Sequence, residues 1–254
     1  INNINEKGLL IINRDDSFFN YFNKLAKKRQ IRVLSFGSKR NSNIWPVSIK
    51  RLKKYKQVKI QLMNKKIIIN INEININNIL ISLLVMSELN LNYEKVINLF
   101  PSLSPLKGRG RIHTINRFGK NFKLIDESYN ANPFSVKNSI IKLSQIKKKN
   151  FKKYLLLSDM LELGKKSDFY HKKLSQIINK TDIDKFFVYG DKILKTYKNI
   201  KKYKQGNILQ SESDFDLVFS KILEKGDYLM IKGSNATGLN NLTQNIIERK
   251  KNVI

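Results

Sequence analysis

The stretch Phe122-Lys123-Leu124-Ile125-Asp126-Glu127-Ser128-Tyr129-Asn130-Ala131-Asn132-Pro133 reads as a strand over Phe122–Asp126, a tight turn, and a helix opening at Pro133. Asn132 offers an N-cap oxygen, and Pro133 takes the first helical position, where its missing N–H is no loss. Capping accounts for those two residues. It does not account for Asp126, Tyr129 and Asn130 crowding the same turn, so a structural and a functional reading both stand at this point.

Outward from this turn the chain alternates regularly. The helix from Pro133 runs to about Lys148, a strand follows at Tyr154–Ser158, and a helix spans Ser167 to about Asn179. Then come a strand at Lys185–Tyr189, helices at Asp191–Asn199 and Asp214–Glu224, a strand at Tyr228–Lys232 and a helix at Gly238–Glu248. Short apolar strands alternating with helices predict an α/β fold with a mostly parallel sheet covered on both faces. In such sheets ligands bind beyond the carboxyl ends of the strands. Two more strand ends are unusual there. Ser158-Asp159-Met160-Leu161-Glu162-Leu163-Gly164 carries two carboxylates, and Lys232-Gly233-Ser234-Asn235-Ala236-Thr237-Gly238 is a glycine-bracketed loop whose N–H groups and lysine suit an anion. Solvated loop charges and an ordinary strand-to-helix connector are the plainer readings of these two.

Toward the N-terminus, strands are expected at Leu9–Asn13 and Ile31–Phe36 with a helix between them through about Gln30. Short β-rich runs follow at Trp45–Ile49, Val58–Met63 and Ile67–Ile71, then helices at Asn78–Leu89 and about Tyr93–Phe100. Pro101-Ser102-Leu103-Ser104-Pro105 cannot continue a helix and marks the expected boundary between domains 1–105 and 106–254. Lys107-Gly108-Arg109-Gly110-Arg111 comes next. It is not a dinucleotide fingerprint, since no strand precedes it and the G-x-G-x-x-G spacing is missing. Gly119-Lys120 and Gly164-Lys165 lack the upstream Gly and the following Ser or Thr of a phosphate-binding P-loop.

The chain has 254 residues, no Cys and two His, His113 and His171, which excludes a disulfide framework, thiol catalysis, Cys-ligated clusters and structural zinc. No apolar run approaches a bilayer span and no basic-then-apolar leader opens it, so a cytoplasmic protein is expected. The net charge of +29 raises the question of nucleic acid. Forty of the 49 basic residues are Lys and nine are Arg, about thirty residues are Asn, and Ala occurs only at Ala26, Ala131 and Ala236. That is the composition of an AT-rich coding sequence. Scattered Lys, as at Lys147–Lys149 and Lys201–Lys202, lack the planar fork and aromatic interleaving of a nucleic-acid face, and no nucleic-acid partner is expected.

Taken together the motifs resemble the Mur ligases. Asp126–Pro133 resembles the family signature D-[DE]-[ST]-Y-N-A-N-P, Ser158–Gly164 is similar to G-D-M-x-E-L-G, and Lys232–Asn235 to K-G-S-N. Leu10–Asp15 with Val33–Gly37 resembles V-L-N-x-D … V-x-T-F-G of the family's central ATPase domain, so the likeness spans about residues 8–247. It implies the end of that central domain followed by a Rossmann-like C-terminal domain. The chain begins at Ile1 without Met, and the family's P-loop, carbamylated Lys and magnesium ligands are expected upstream of it.

The resemblance implies an enzyme that uses ATP and Mg2+ to join D-Ala-D-Ala to a UDP-N-acetylmuramoyl-tripeptide through an acyl phosphate, a monomer when complete. It assigns Asn78, Arg109 and Asp126 to the nucleotide, and Asn130, Asn132, Asp159, Ser234 and Asn235 to the dipeptide side. It assigns no metal ligand or catalytic residue to this chain. Departures are Asn72 and Ile74, where the family has Gly and His, and Gly238-Leu239, where it usually has Arg-Met. A non-catalytic remnant or split-gene product binding nucleotide or a partner chain remains an alternative, and so does a basic nucleic-acid module.

Overall fold

The computed structural model describes residues 1–147 and 150–248, and the chain divides into two compact units between Pro105 and Leu106. The first contains β1 (Leu9–Asn13), α1 (Phe19–Lys28), β2 (Arg32–Phe36), β3 (Ile44–Arg51), β4 (Lys56–Leu62), β5 (Lys65–Ile71), α2 (Ile76–Glu88) and α3 (Glu94–Ile97). Its sheet runs β1-β2-β3-β4-β5, parallel through β3 and antiparallel from there to β5. Strict alternation in β4 buries Val58, Ile60 and Leu62. These meet Ile79, Leu80, Leu83 and Leu84, which recur on one face of α2. Each such side chain removed from water contributes about 1.5–3 kcal/mol.

The helix expected to reach Phe100 is the single turn α3, followed by a 3-10 turn over Phe100–Ser102. Pro101 sits inside that turn rather than ending it. A first turn has no helical acceptor for its N–H groups, so proline fits there.

The second unit contains β6 (Arg111–Arg117), β7 (Lys120–Glu127), α4 (Pro133–Ser144), β8 (Lys153–Ser158), α5 (Ser167–Ile178), β9 (Lys185–Tyr189), α6 (Leu194–Tyr197), β10 (Gln205–Leu209), α7 (Glu212–Ile222), β11 (Tyr228–Lys232) and α8 (Leu239–Glu248). Strand order is β10-β9-β8-β11-β7-β6, parallel throughout except for β6 on β7. Successive residues of β8 serve opposite faces. Leu155 and Leu157 pack with Val136, Ile140 and Leu143 of α4 and Leu174 and Ile178 of α5. Tyr154 and Leu156 pack with Phe215 and Phe219 of α7 and Leu242 and Ile246 of α8. This is the doubly covered sheet that continuous apolar strands require.

Two strands were not expected, and both are edges. In β6 only Ile115 is buried and in β10 only Leu209, so neither carries an apolar run. The helix from Pro133 ends at Ser144, short of the expected Lys148, which lies outside the described residues. The buried ammonium of Lys153 donates to the Ser144 carbonyl at 2.7 Å and to Asp182 at 2.8 Å, satisfying a helix-end acceptor that a further turn would have used.

Candidate active site

The carboxyl ends of β7, β11, β8 and β9 lie side by side, and the loops leaving them are tied to one another. Asp126, at the end of β7, is 1% exposed. Its Oδ2 accepts from the Gly108 N–H at 2.8 Å and from Gln244 Nε2 at 3.1 Å; its Oδ1 accepts from the Ser128 hydroxyl at 2.6 Å and N–H at 3.2 Å. Gly110 N–H donates to the Asp126 carbonyl at 2.7 Å and Tyr129 N–H to the Gly108 carbonyl at 3.2 Å. The glycine-rich segment is therefore bound to this turn. Gly108 has φ +71°, and a Cβ there would lie 2.6 Å from that of Tyr129, so only glycine fits. Between the two glycines Arg109 is exposed, its guanidinium 4.2 Å over the centre of the Tyr129 ring.

Asn132 is the N-cap of α4. Its side chain accepts from Ser135 N–H at 2.8 Å while Ser135 Oγ accepts from Asn132 N–H at 3.1 Å, a reciprocal capping box. The Asn130 side chain accepts from the next N–H, that of Ala131, at 2.7 Å. Lys232 pairs in register with Glu127 on the neighbouring strand. Its buried ammonium donates to the Asn130 carbonyl at 2.8 Å and to Glu127 at 3.4 Å. Burial lowers the Lys232 pKa, and the carboxylate of Glu127 opposes that shift. The lysine therefore braces the turn after β7, a use different from the open anion site its sequence suggested.

Ser234 joins three loops. Its hydroxyl donates to the Ala131 carbonyl at 3.3 Å and accepts from Leu161 N–H at 3.0 Å, and its own N–H donates to the Asp159 carbonyl at 3.1 Å. Asp159 is buried, with Oδ1 accepting from Ile193 N–H beyond β9 at 2.8 Å. Gly190 has φ +125° and a Cβ there would stand 2.9 Å from that same oxygen, which makes room for the carboxylate. Met160 N–H donates to His171 Nε2 at 3.0 Å.

Of the residues singled out in the sequence, Arg109, Asp126, Asn130, Asn132, Asp159 and Ser234 thus fall in one connected set of loops. Asn235 lies beside Ser234, exposed, at the start of a 3-10 turn. Asn78 belongs to the other unit, exposed in the first turn of α2 behind the Asn75 cap. Among the described residues no group of three His, Cys, Asp or Glu side chains is placed to hold a metal ion, and no helix is long and apolar enough to cross a membrane. Sequence reading passed over Glu127, the bracing role of Lys232, and His171. The signal for His171 was its place on the apolar stripe of its helix, three and seven residues before Leu174 and Ile178.

Fold and loops together define a doubly wound α/β domain, the class in which ligands bind beyond the carboxyl ends of the strands. Residues 110–235 match the family model for the Mur ligase, glutamate ligase domain, and residues 1–86 match the Mur ligase middle domain. The chain belongs to the Mur ligase family. A UDP-N-acetylmuramoyl-tripeptide–D-alanyl-D-alanine ligase of Buchnera aphidicola subsp. Baizongia pistaciae is 25% identical over 249 residues, covering 96% of this chain and 52% of its own length. The Bacillus subtilis protein of that name is 29% identical over 149 residues, 58% of this chain and 32% of its own. Among solved structures, a MurF ligase from Thermotoga maritima in complex with ADP shares the fold with a TM-score of 0.77 at 19% identity, covering 97% of this chain and 54% of its own. The chain spans about half the length of the Buchnera and Thermotoga proteins it matches.

Proposed function

We propose that this chain supplies the dipeptide side, and part of the nucleotide side, of an ATP-dependent ligase that adds D-alanyl-D-alanine to a UDP-N-acetylmuramoyl-tripeptide. One observation carries the reading: the three loops that resemble the family signatures converge on a single side chain, Ser234. ATP supplies the phosphoryl group that makes the tripeptide's terminal carboxylate reactive, ADP leaves, and phosphate leaves when the dipeptide amine attacks the acyl carbon.

The residues present fit the sugar end of a nucleotide. Arg109 is a planar five-donor group held over the Tyr129 ring while exposed, suited to two hydroxyl oxygens at once. Asp126 acts behind it, because its oxygens are engaged in holding Gly108 and Ser128. Asn78 is the second nucleotide-side group, offered to the base. The triphosphate itself would be held by an upstream P-loop and Mg2+, for which this sequence has no counterpart.

On the dipeptide side Asp159 presents a carboxylate for the incoming ammonium, and the side-chain amides of Asn130, Asn132 and Asn235 are donors for its carbonyl and carboxylate, while Ser234, whose hydroxyl proton goes to the Ala131 carbonyl, holds the dipeptide-side loops together. An acyl phosphate hydrolyses in water, so the site has to exclude water from it. The nucleotide substrates place the reaction in the cytoplasm.

The test is phosphate release. This chain alone should not ligate D-Ala-D-Ala. Joined behind an upstream segment that carries a P-loop, it should release phosphate only when both peptide substrates are present. Release independent of D-Ala-D-Ala would contradict the assignment.

A further inference from the structure

The loop leaving β8 holds its shape through three consecutive residues, each fixed by a different element. Asp159 is held through Oδ1 by Ile193 N–H at 2.8 Å, and Leu161 through its N–H by Ser234 Oγ at 3.0 Å. Met160, between them, has its side chain in the core and its N–H on Nε2 of His171 at 3.0 Å. Two residues later the chain turns through Glu162 at φ +62°, a left-handed conformation uncommon for a side-chain-bearing residue.

His171 is fully buried in α5. Its other ring nitrogen, Nδ1, lies 2.8 Å from the carbonyl oxygen of Ser167, one helical turn back. A backbone N–H can only donate and a carbonyl can only accept. Nε2 must therefore carry a lone pair and Nδ1 the proton, which fixes one neutral tautomer. A second proton, on Nε2, would face the Met160 N–H head-on. Thr196 locks the helix in turn, its hydroxyl donating to the His171 carbonyl at 2.6 Å.

We propose that His171 is a positioning residue for the ligation: as the Nδ1-protonated neutral tautomer it anchors the Met160 N–H and so sets where the neighbouring Asp159 carboxylate stands for the dipeptide's ammonium. The proposal rests on the dipeptide-side reading of Asp159. It assigns His171 no contact with substrate. An imidazole suits the task because one rigid ring accepts from the loop while donating to its own helix. Phenylalanine would fill the space without an acceptor, whereas the amide oxygen of glutamine reaches the position of Nε2.

The experiment uses the 254-residue chain, 15N-labelled at neutral pH. With only two His in the sequence, a His113→Gln sample assigns the ring signals. The expected spectrum shows His171 with a bare Nε2 and a protonated Nδ1. Met160 amide exchange should be about tenfold faster or more in His171→Phe, the equivalent of one net hydrogen bond, and close to the parent in His171→Gln. With D-Ala-D-Ala added, the shifts of the Asp159 and Leu161 amides should survive in His171→Gln and vanish in His171→Phe. A protonated Nε2, or Met160 exchange unchanged in His171→Phe, overturns the proposal. If His171→Phe does not fold, the parent tautomer and the His171→Gln exchange rate decide it. A parent with the expected tautomer and protected Met160 but no response to D-Ala-D-Ala counts against the ligase reading and leaves the anchoring of the loop standing.

Discussion

The guanidinium of Arg109 lies 4.2 Å over the ring of Tyr129, and the backbone of Tyr129 is bonded to Gly108, the residue before that arginine. The loop and the turn thus hold an exposed, flexible side chain over one ring. Tyr129→Phe should keep the stack and Tyr129→Leu should lose it, at a cost of about 0.5–1 kcal/mol for an exposed cation–π pair. The ring-current shift of the Arg109 δ-protons reports it directly. Persistence of that shift in Tyr129→Leu would show that the arginine is held by something else.

Two glycines of nearly equal φ separate strain from collision. Gly108 at +71° faces Tyr129 at 2.6 Å, whereas Gly119 at +69° has open space around it. Gly119→Ala should cost only the left-handed backbone penalty, about 1 kcal/mol. Gly108→Ala should cost clearly more and release the glycine-rich segment from Asp126. Equal urea midpoints for the two variants would remove the close approach from the account.

The turn after β7 can be dissected by cap and by charge. Asn132→Ala should lose about 0.5–2 kcal/mol, while Asn132→Asp and Asn132→Ser keep a capping oxygen and should melt like the parent. If Asn132 also meets the dipeptide, those two variants should still weaken D-Ala-D-Ala binding, because neither retains the amide donor. Asp126→Asn puts an NH2 group among donors in a buried site, and a loss of about 1–3 kcal/mol is expected. A silent Asp126→Asn would mean that Gly108 is held by other contacts.

Lys232 sets a pH dependence whose sign follows from burial. Its folded pKa is lowered, chiefly by desolvation, while the unfolded chain keeps the ordinary lysine value near 10.4. Between the two the unfolded state binds more protons, so folding stability from this group rises with pH across that window. Relative to Lys232→Met, the parent should gain stability from neutral pH toward pH 10 in urea unfolding. A difference that shrinks over that range would contradict burial as the dominant influence.

Lys185–Tyr189 and Tyr228–Lys232 were legible because they are interior strands buried on both faces, and they fall at the expected residues. Leu9–Asn13, an edge strand of half-buried residues, was legible from its unbroken apolar run. The edges β6 and β10 each bury one apolar side chain, which leaves no run or alternation to read. The three strand-end loops could be picked out by their composition. Their wiring could not, since Ser234 reaches Ala131 across 103 residues and Leu161 across 73, and no local pattern encodes such a pair. Lys232 misled for a related reason. A lysine beside a glycine loop looks like an open anion site until the register of β7 and β11 puts Glu127 next to it.

If the loops gathered on Ser234 receive D-Ala-D-Ala, titrating the 15N-labelled chain with D-Ala-D-Ala, and in parallel with L-Ala-L-Ala, will show it. Saturable shifts are expected, confined to the amides of residues 130–132, 159–161 and 234–235, with the D,D-dipeptide, and none there with its L,L counterpart. Identical responses to the two dipeptides, or no response at those amides while residues elsewhere shift, would contradict it.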